Sequence, residues 1–505
     1  MKPKIARQLA RQKRRITRRL RRAQKRRDTG LPDTPAAKVT YEVSDRVSAM
    51  PHGGMDGVRR VAQEMGLVGR IDDAVQVLRF HRPYHESDHV LNIAFNAFCG
   101  GRTLEDIELR RNDEAYLDAL GVQAIPDPTT AGDFCRRFGE EDIGQLMNAI
   151  NETRVEVWKR TPSLFSERAV IDVDGTLVPT TGECKQGVAL SYNGIWGYHP
   201  LLVSFANTHE PLFIVNRTGN VHSNHNAAAW LDKAIALVRE AGFHEVLLRG
   251  DTDFSQTKYL DGWDATGVRF AFGYGVGKAL KDRAQVRVFS ELQRRAKQAF
   301  VEADRRRTRP PRHKANYVRA KGYKNIRLKS EDIAEFPWRP GACKQTYRMV
   351  VLRKNLSIER GENVLLEDVR YFLYITNDPD MTAAEVVFTN NDRCNQENLI
   401  EQLKNGVRAL HAPVNDLNAN WAYMVMTSLA WSLKAWMALL LPVSPRWRAK
   451  HEAERRAWLR MDFRTFRNAV IDVPVQVLRT GRRRVWRLLA WRPQLPVFFR
   501  LLDAL

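Results

Sequence analysis

The sequence predicts a mixed α/β fold, and three observations predict it. Apolar segments of strand length follow one another between residues 168 and 254, an amphipathic helical pattern is inserted among them, and long helical stretches lie on either side. The strand-like segments are "RAVIDVDGTLV", "GYHPLLVSFANT" and "EPLFIVNRTG". The helix is "HNAAAWLDKAIALVREAGF", and a further buried strand, "HEVLLRGDTDF", comes after it. Such an order is what the first half of a ribonuclease H-like core requires, and other α/β folds would use the same string.

The flanking elements are read by the same periodicities. Met1 to Arg27 contains no acidic residue and no apolar core, so it is no signal peptide; it reads as a solvated basic tail suited to gripping phosphates. Leu31 to Ala49 is a linker containing Pro and Thr. From Gly53 to Arg160, "GVRRVAQEMGLVGRIDDAVQVL" and "SDHVLNIAFNAFCG" repeat apolar residues at three and four, with Ser87 or Asp88 placed to cap the second. "PDPTTAGDFCRRF" restarts a helix at Thr129 or Thr130. Short helices with a basic surface suit a DNA-reading region, and a plain helical core would show the same pattern.

Beyond Gln256, "GVRFAFGYG", "TYRMVVLRK" and "VRYFLYITN" read as strands of a β-containing module, with the basic stretch "RRRTRPPRHK", Arg305 to Lys314, among them. A long helix is expected to start near Thr382, and Asn390 to Gly406 lies on it or on the next one. Trp421 to Val443 is long and apolar, but Lys434 near its middle argues for a buried core helix over a membrane span. The expected division is a basic tail and linker (1–44), a helical DNA-binding region (45–164), two halves of a core (165–256 and 381–450) around a β-containing insertion (257–380), and a basic helical segment (451–505).

A chain of 505 residues exceeds one ordinary core, in keeping with that division. Its 81 Lys and Arg against 58 Asp and Glu give a net charge of +23, which favours a polyanionic partner. Cys99, Cys135, Cys184, Cys343 and Cys394 are scattered without a C-x-x-C pair, as reduced thiols would be.

The chemistry is concentrated in three places. Asp172 and Asp174 in "IDVDGT" stand two apart on a strand and therefore face the same way. One reading is the opening motif of haloacid-dehalogenase phosphatases, with the first Asp as nucleophile and the second as acid/base. The other is the first metal-binding carboxylate of a nuclease or transposase. Asp251 ends the later strand in "VLLRGDTDF", so Asp174 and Asp251 can meet on neighbouring strands and share a divalent cation. The phosphatase would want another Asp where Ser255 and Gln256 stand, and Asp253 is too close for that geometry. Arg393, Glu397 and Lys404 fall at i, i+4 and i+11, one side of a single helix. A solvated, salt-bridged face would give the same spacing.

With these residues in view, the chain resembles the bacterial insertion-sequence DDE transposases whose signature is Tyr-x2-Arg-x3-Glu-x6-Lys. Arg393, Glu397 and Lys404 match that signature, and "DGT", "RGD" and Thr376-Asn377 match the family's habits. Asn390 stands at the signature's Tyr position. The resemblance implies a ribonuclease H-like catalytic core with Asp174, Asp251 and Glu397 as catalytic metal ligands. Asp172 is the alternate first carboxylate, and Arg393 and Lys404 would contact DNA. It further implies Mg²⁺, with Mn²⁺ able to substitute, and double-stranded DNA partners, both terminal inverted repeats and target. A homodimer in the DNA complex, no membrane association and a bacterial cytoplasmic, nucleoid-associated setting also follow. The alternatives are the phosphatase and a catalytically inactive, transposase-derived DNA-binding protein. By residue type, Trp263 or Trp338 would hold a flipped base if excision passes through a hairpin, although a core role is expected of either. His222 and His225 read as part of a polar loop, lacking a carboxylate or Cys partner at metal-ligand spacing.

Overall fold

The computed structural model describes residues 3–25, 41, 47–275, 283–302, 315–480 and 483–505. The stretch Arg305 to Lys314 and most of the expected linker lie outside them. The chain divides into two compact units, residues 163–179 with 189–400 and residues 1–162 with 180–188 and 401–505.

The first of these units is built on one mixed sheet. Its strands are β1 (Ala169–Gly175), β2 (Leu201–Phe205), β3 (Glu210–Val215), β4 (Val246–Gly250), β5 (Arg269–Gly273), β6 (Lys324–Trp338), β7 (Tyr347–Arg360) and β8 (Asn363–Thr376), in the order β6-β7-β8-β5-β4-β1-β2-β3. β1 runs antiparallel to β2 and parallel to β4, and β5 is parallel to β4. β2, β3 and β4 are buried at every position, which explains their largely apolar sequences.

The expected strand "GYHPLLVSFANT" is divided at His199-Pro200. Trp196–Tyr198 joins a small separate sheet, and Leu201–Phe205 joins the main one. Pro200 has no N–H to donate, and the His199 backbone is engaged by Arg217 on both sides. The three long strands of the expected β-containing module continue the main sheet, because Tyr374 to Thr376 of β8 pair with Ala271 to Gly273 of β5. Asn377 fastens that junction, accepting from the Phe270 N–H at 2.8 Å and donating to the Val268 carbonyl at 2.9 Å.

Two helices cover this sheet where the functional residues emerge. Ala227–Ala241 buries Trp230, Leu231, Ala234, Ile235 and Val238 against it and ends at Gly242, whose φ of 112° only glycine adopts freely. Ala383–Asp392 starts, as expected, at Thr382, which forms a capping box with Glu385. Its Ala383, Val386 and Val387 pack on Ile333, Val350 and Leu352 of β6 and β7. Trp263 and Trp338 are both interior, Trp263 donating to Asp232 at 2.8 Å.

The other unit is mainly helical. Helix Leu417–Leu439 runs through its centre, packed by Met55–Glu64, Glu86–Phe98, Pro128–Cys135, Glu140–Lys159 and Arg448–Arg460. It is the buried core helix its composition predicts, and among the described residues no helix is long and apolar enough to cross a membrane. Pro3–Gln24, read from sequence as a solvated tail, is an α-helix. Its run of Ala, Leu, Lys, Arg and Gln without Gly or interior Pro has high helix propensity, and Leu9 is buried. The basic C-terminal segment holds helices Phe463–Phe466 and Leu495–Leu502, and also strands Val475–Thr480 and Arg483–Leu488.

Lys434 is the exception in the central helix. Its Nζ is buried 3.9 Å from the Trp431 ring and donates to the Leu459 carbonyl at 2.7 Å. Burial lowers its pKa to about 7. Between about pH 7 and the ordinary lysine range the unfolded chain holds a proton that the folded chain has released, so stability rises with pH across that window. Lys434→Met is expected to remove this rise and to stabilise the protein at pH 7, as read by urea denaturation at pH 7 and pH 9.

Candidate active site

Parallel pairing of β1 and β4 sets Asp172 opposite Arg249 and Val173 opposite Gly250. One step further, Asp174 stands beside Asp251, where β4 ends. Asp251 accepts from the Asp253 N–H at 2.9 Å and so caps the tight turn Thr252–Phe254. Both neighbouring glycines are sterically required. A Cβ on Gly250 would lie 2.9 Å from Phe254 and 3.0 Å from Val173, and one on Gly175 would lie 2.8 Å from the His199 ring.

The third acidic residue comes from the covering helices. Arg393 is the junction between Ala383–Asp392 and the following helix Cys394–Glu401, which carries Glu397. Its Nη1 donates to Asp174 Oδ2 at 2.9 Å, and its Nη2 lies 3.8 Å from Glu397 Oε1. Burial, opposed by Arg393 and reinforced by the Asp251 charge, raises the Asp174 carboxyl to about 6. Asp174, Asp251, Arg393 and Glu397 thus form one cluster, with a guanidinium standing between Asp174 and Glu397. The three carboxylates are not all within 4.8 Å of one another.

Asp172 has a different setting. It is 1% exposed, and its Oδ1 and Oδ2 accept from Arg249 Nε and Nη2 at 2.6 and 2.8 Å. Arg249 Nη1 also reaches the Thr389 carbonyl at 3.0 Å and Asp392 at 3.3 Å, tying the covering helix to the sheet. A carboxylate held on both oxygens is no free nucleophile, which removes the basis of the phosphatase reading. Arg249 precedes Asp251 by two residues, as Asp172 precedes Asp174, and the parallel register makes the two inner residues partners.

Lys404 belongs to the other compact unit and lies on the π-helical turn Gln402–Gly406. The single α-helix expected to align Arg393, Glu397 and Lys404 is therefore interrupted twice, at Arg393 and after Glu401. Asn390, at the signature Tyr position, is buried and donates to the Val386 carbonyl at 2.9 Å.

One organising residue escaped the sequence reading. Buried Arg217 donates to the carbonyls of His199, Ser223 and His225 at 2.9 to 3.0 Å and so shapes the loop beside Gly175. Burial lowers its pKa to about 10. His222 in this loop bonds Asn224 at 2.8 Å, as a polar-loop residue would.

A family model described as "Transposase DDE domain group 1" matches residues 45–505. The chain belongs to this family of DDE transposases. Among solved structures, this DDE transposase is similar to the chain in a cryo-electron microscopy structure of a piggyBac transposase synaptic complex with hairpin DNA. The identity is 9% and the TM-score 0.36, over 83% of this chain and 84% of that one. Among curated proteins, none matches the chain. DDE transposases use divalent metals, and the carboxylates gathered here are hard oxygen donors of the kind such cations take. The mutual repulsion of Asp174 and Asp251 is what a bound cation would relieve.

Proposed function

We propose that this DDE transposase cuts and joins DNA at the ends of an insertion sequence of the bacterial branch bearing the Tyr-x2-Arg-x3-Glu-x6-Lys signature, on a ribonuclease H-like core. Asp174, Asp251 and Glu397 hold the metal, Mg²⁺ with Mn²⁺ able to substitute. The observation that carries this reading is the convergence of Asp174, Asp251 and Glu397 around Arg393, from two parallel strands and a covering helix. The order β3-β2-β1-β4-β5, with two antiparallel and two parallel pairings, supports the core.

Bound metal supplies activation of a water or 3′-hydroxyl and stabilisation of the leaving oxygen in an in-line displacement at phosphorus. The chain's own residues prepare that chemistry. Asp174 and Asp251 are fixed side by side by strand register, and the Asp251 turn is locked by its own backbone bond. Arg393 balances the acidic cluster in the resting protein, and its guanidinium can move from carboxylate to a DNA phosphate, for which its planar fork is suited. Lys404 adds a second phosphate contact.

The partners are double-stranded DNA carrying terminal inverted repeats, and then target DNA. The net charge of +23 supports them. A homodimer brings two ends together, in the bacterial cytoplasm at the nucleoid. The test is incubation of the full chain with a labelled fragment bearing the element's own end. Nicking at that end with Mg²⁺ or Mn²⁺, abolished by a chelator, is the expected result. Binding without nicking would identify an inactive descendant, and hydrolysis of small phosphate esters without nicking would restore the phosphatase.

A further inference from the structure

A second cluster of metal-ligating side chains lies in the mainly helical unit, in residues that the strand-cleavage chemistry does not use. Among the described residues, one ligand atom each from Asp72, His85 and Glu86 lies within 4.8 Å of the other two. They are brought together by a loop. Asp72 sits near the end of helix Leu67–Ala74, the chain leaves helical structure from Val75 to His85, and Glu86 opens helix Glu86–Phe98.

Each carboxylate is already oriented from behind. Asp72 Oδ1 and Oδ2 accept from the Ser87 N–H and hydroxyl at 2.8 and 2.9 Å, and Glu86 Oε1 accepts from the Leu78 N–H at 3.0 Å. Such outer bonds are how metal ligands are held in place. Glu86 is fully buried, yet its Oε2 makes no hydrogen bond. A buried carboxylate oxygen left in that state is costly unless a cation meets it.

His81 Nε2 stands 3.3 Å from that oxygen, and the His81 and His85 rings stack with centroids 5.2 Å apart. Bonds of about 2.05 Å at a tetrahedral centre put adjacent ligand atoms about 3.3 Å apart, which is the His81 to Glu86 separation, although His81 stands outside the mutually close set of Asp72, His85 and Glu86 and must move to join it. Two imidazole nitrogens and two carboxylate oxygens make a borderline set, suited to zinc and less to Mg²⁺.

We propose that Asp72, His85 and Glu86 form the core of a structural Zn²⁺ site, with His81 drawn in as its fourth ligand, that staples the loop Val75–His85 to the N-terminus of helix Glu86–Phe98. The loop it fixes displays Arg79, Phe80 and Arg82, with Phe80 82% exposed. An ion there sets the shape of an exposed basic and aromatic projection without entering the cleavage chemistry.

The test uses the full chain without a polyhistidine tag, stripped with chelator and titrated with Zn²⁺, and with Co²⁺ for its tetrahedral visible spectrum. One tightly bound equivalent per chain is expected, and it should persist in the Asp174→Ala/Asp251→Ala background, which separates this site from the acidic cluster. His85→Ala and Asp72→Asn should weaken binding at least a hundredfold and His81→Ala at least tenfold, with the loop becoming more sensitive to protease in each. Should His85→Ala fail to fold, the wild type and Asp72→Asn decide. No zinc taken up by the folded wild type would overturn the site. So would uptake unchanged by Asp72→Asn, and affinity unchanged by His81→Ala would overturn the four-ligand assignment.

Discussion

Asp174→Ala is expected to slow metal-dependent nicking of the element's end about a thousandfold or more, ~4 kcal/mol of barrier, while end binding stays within a few-fold of wild type. Asp251→Ala and Glu397→Ala should each do the same, because loss of any one ligand dismantles the same metal centre. Double variants should be no worse than single ones, since residues acting as a unit are not additive. The separation from binding follows from charge. Removing one carboxylate makes a chain of net charge +23 slightly more attractive to phosphate and leaves its Lys and Arg residues in place. Single-turnover cleavage of a labelled fragment and a mobility-shift titration check the two halves. Wild-type cleavage by Glu397→Ala would remove it from the triad, and wild-type cleavage by all three variants would place the chemistry elsewhere.

Much of the architecture is legible in the sequence because it depends on local period and burial. "AVIDVDG", "LLVSF", "EPLFIV" and "VLLRG" are apolar runs of strand length, and they became β1 to β4. Thr382 with Glu385 is a capping box readable from spacing alone. What stayed hidden depends on pairings between distant segments. Strand phase says that Asp172 and Asp174 face the same way, but only the parallel register with β4 reveals that Arg249 claims the first of them. At the helix break Arg393 meets Asp174, a residue 219 positions away, a contact that no local pattern announces. His81, His85 and Glu86 stand close together in sequence, but that Asp72 joins His85 and Glu86 depends on a loop without regular structure folding back to assemble them.

The choice between the two aspartates of "IDVDGT" yields the second large effect, on stability. Asp172→Ala leaves the Arg249 guanidinium, with a side chain 4% exposed, without a partner for Nε and Nη2, and only Nη1 keeps the Thr389 carbonyl and Asp392. Breaking one side of a buried ion pair in this way costs about 3–5 kcal/mol, so a large drop in the urea midpoint is expected. Removing the partner as well, in Asp172→Ala/Arg249→Met, should recover much of the loss, because no uncompensated charge then remains in the interior. Asp174→Ala should cost less: its carboxyl is already pushed up to about 6 by burial, and Arg393 keeps Glu397 Oε1 at 3.8 Å as a partner. The two residues therefore predict opposite profiles, one folded but unable to cut, the other marginally folded and rescued by a second substitution. If Asp172→Ala instead proves as stable as wild type and cleavage-dead, then Arg249 releases Asp172 when DNA and metal bind, and the first ligand of the triad is Asp172.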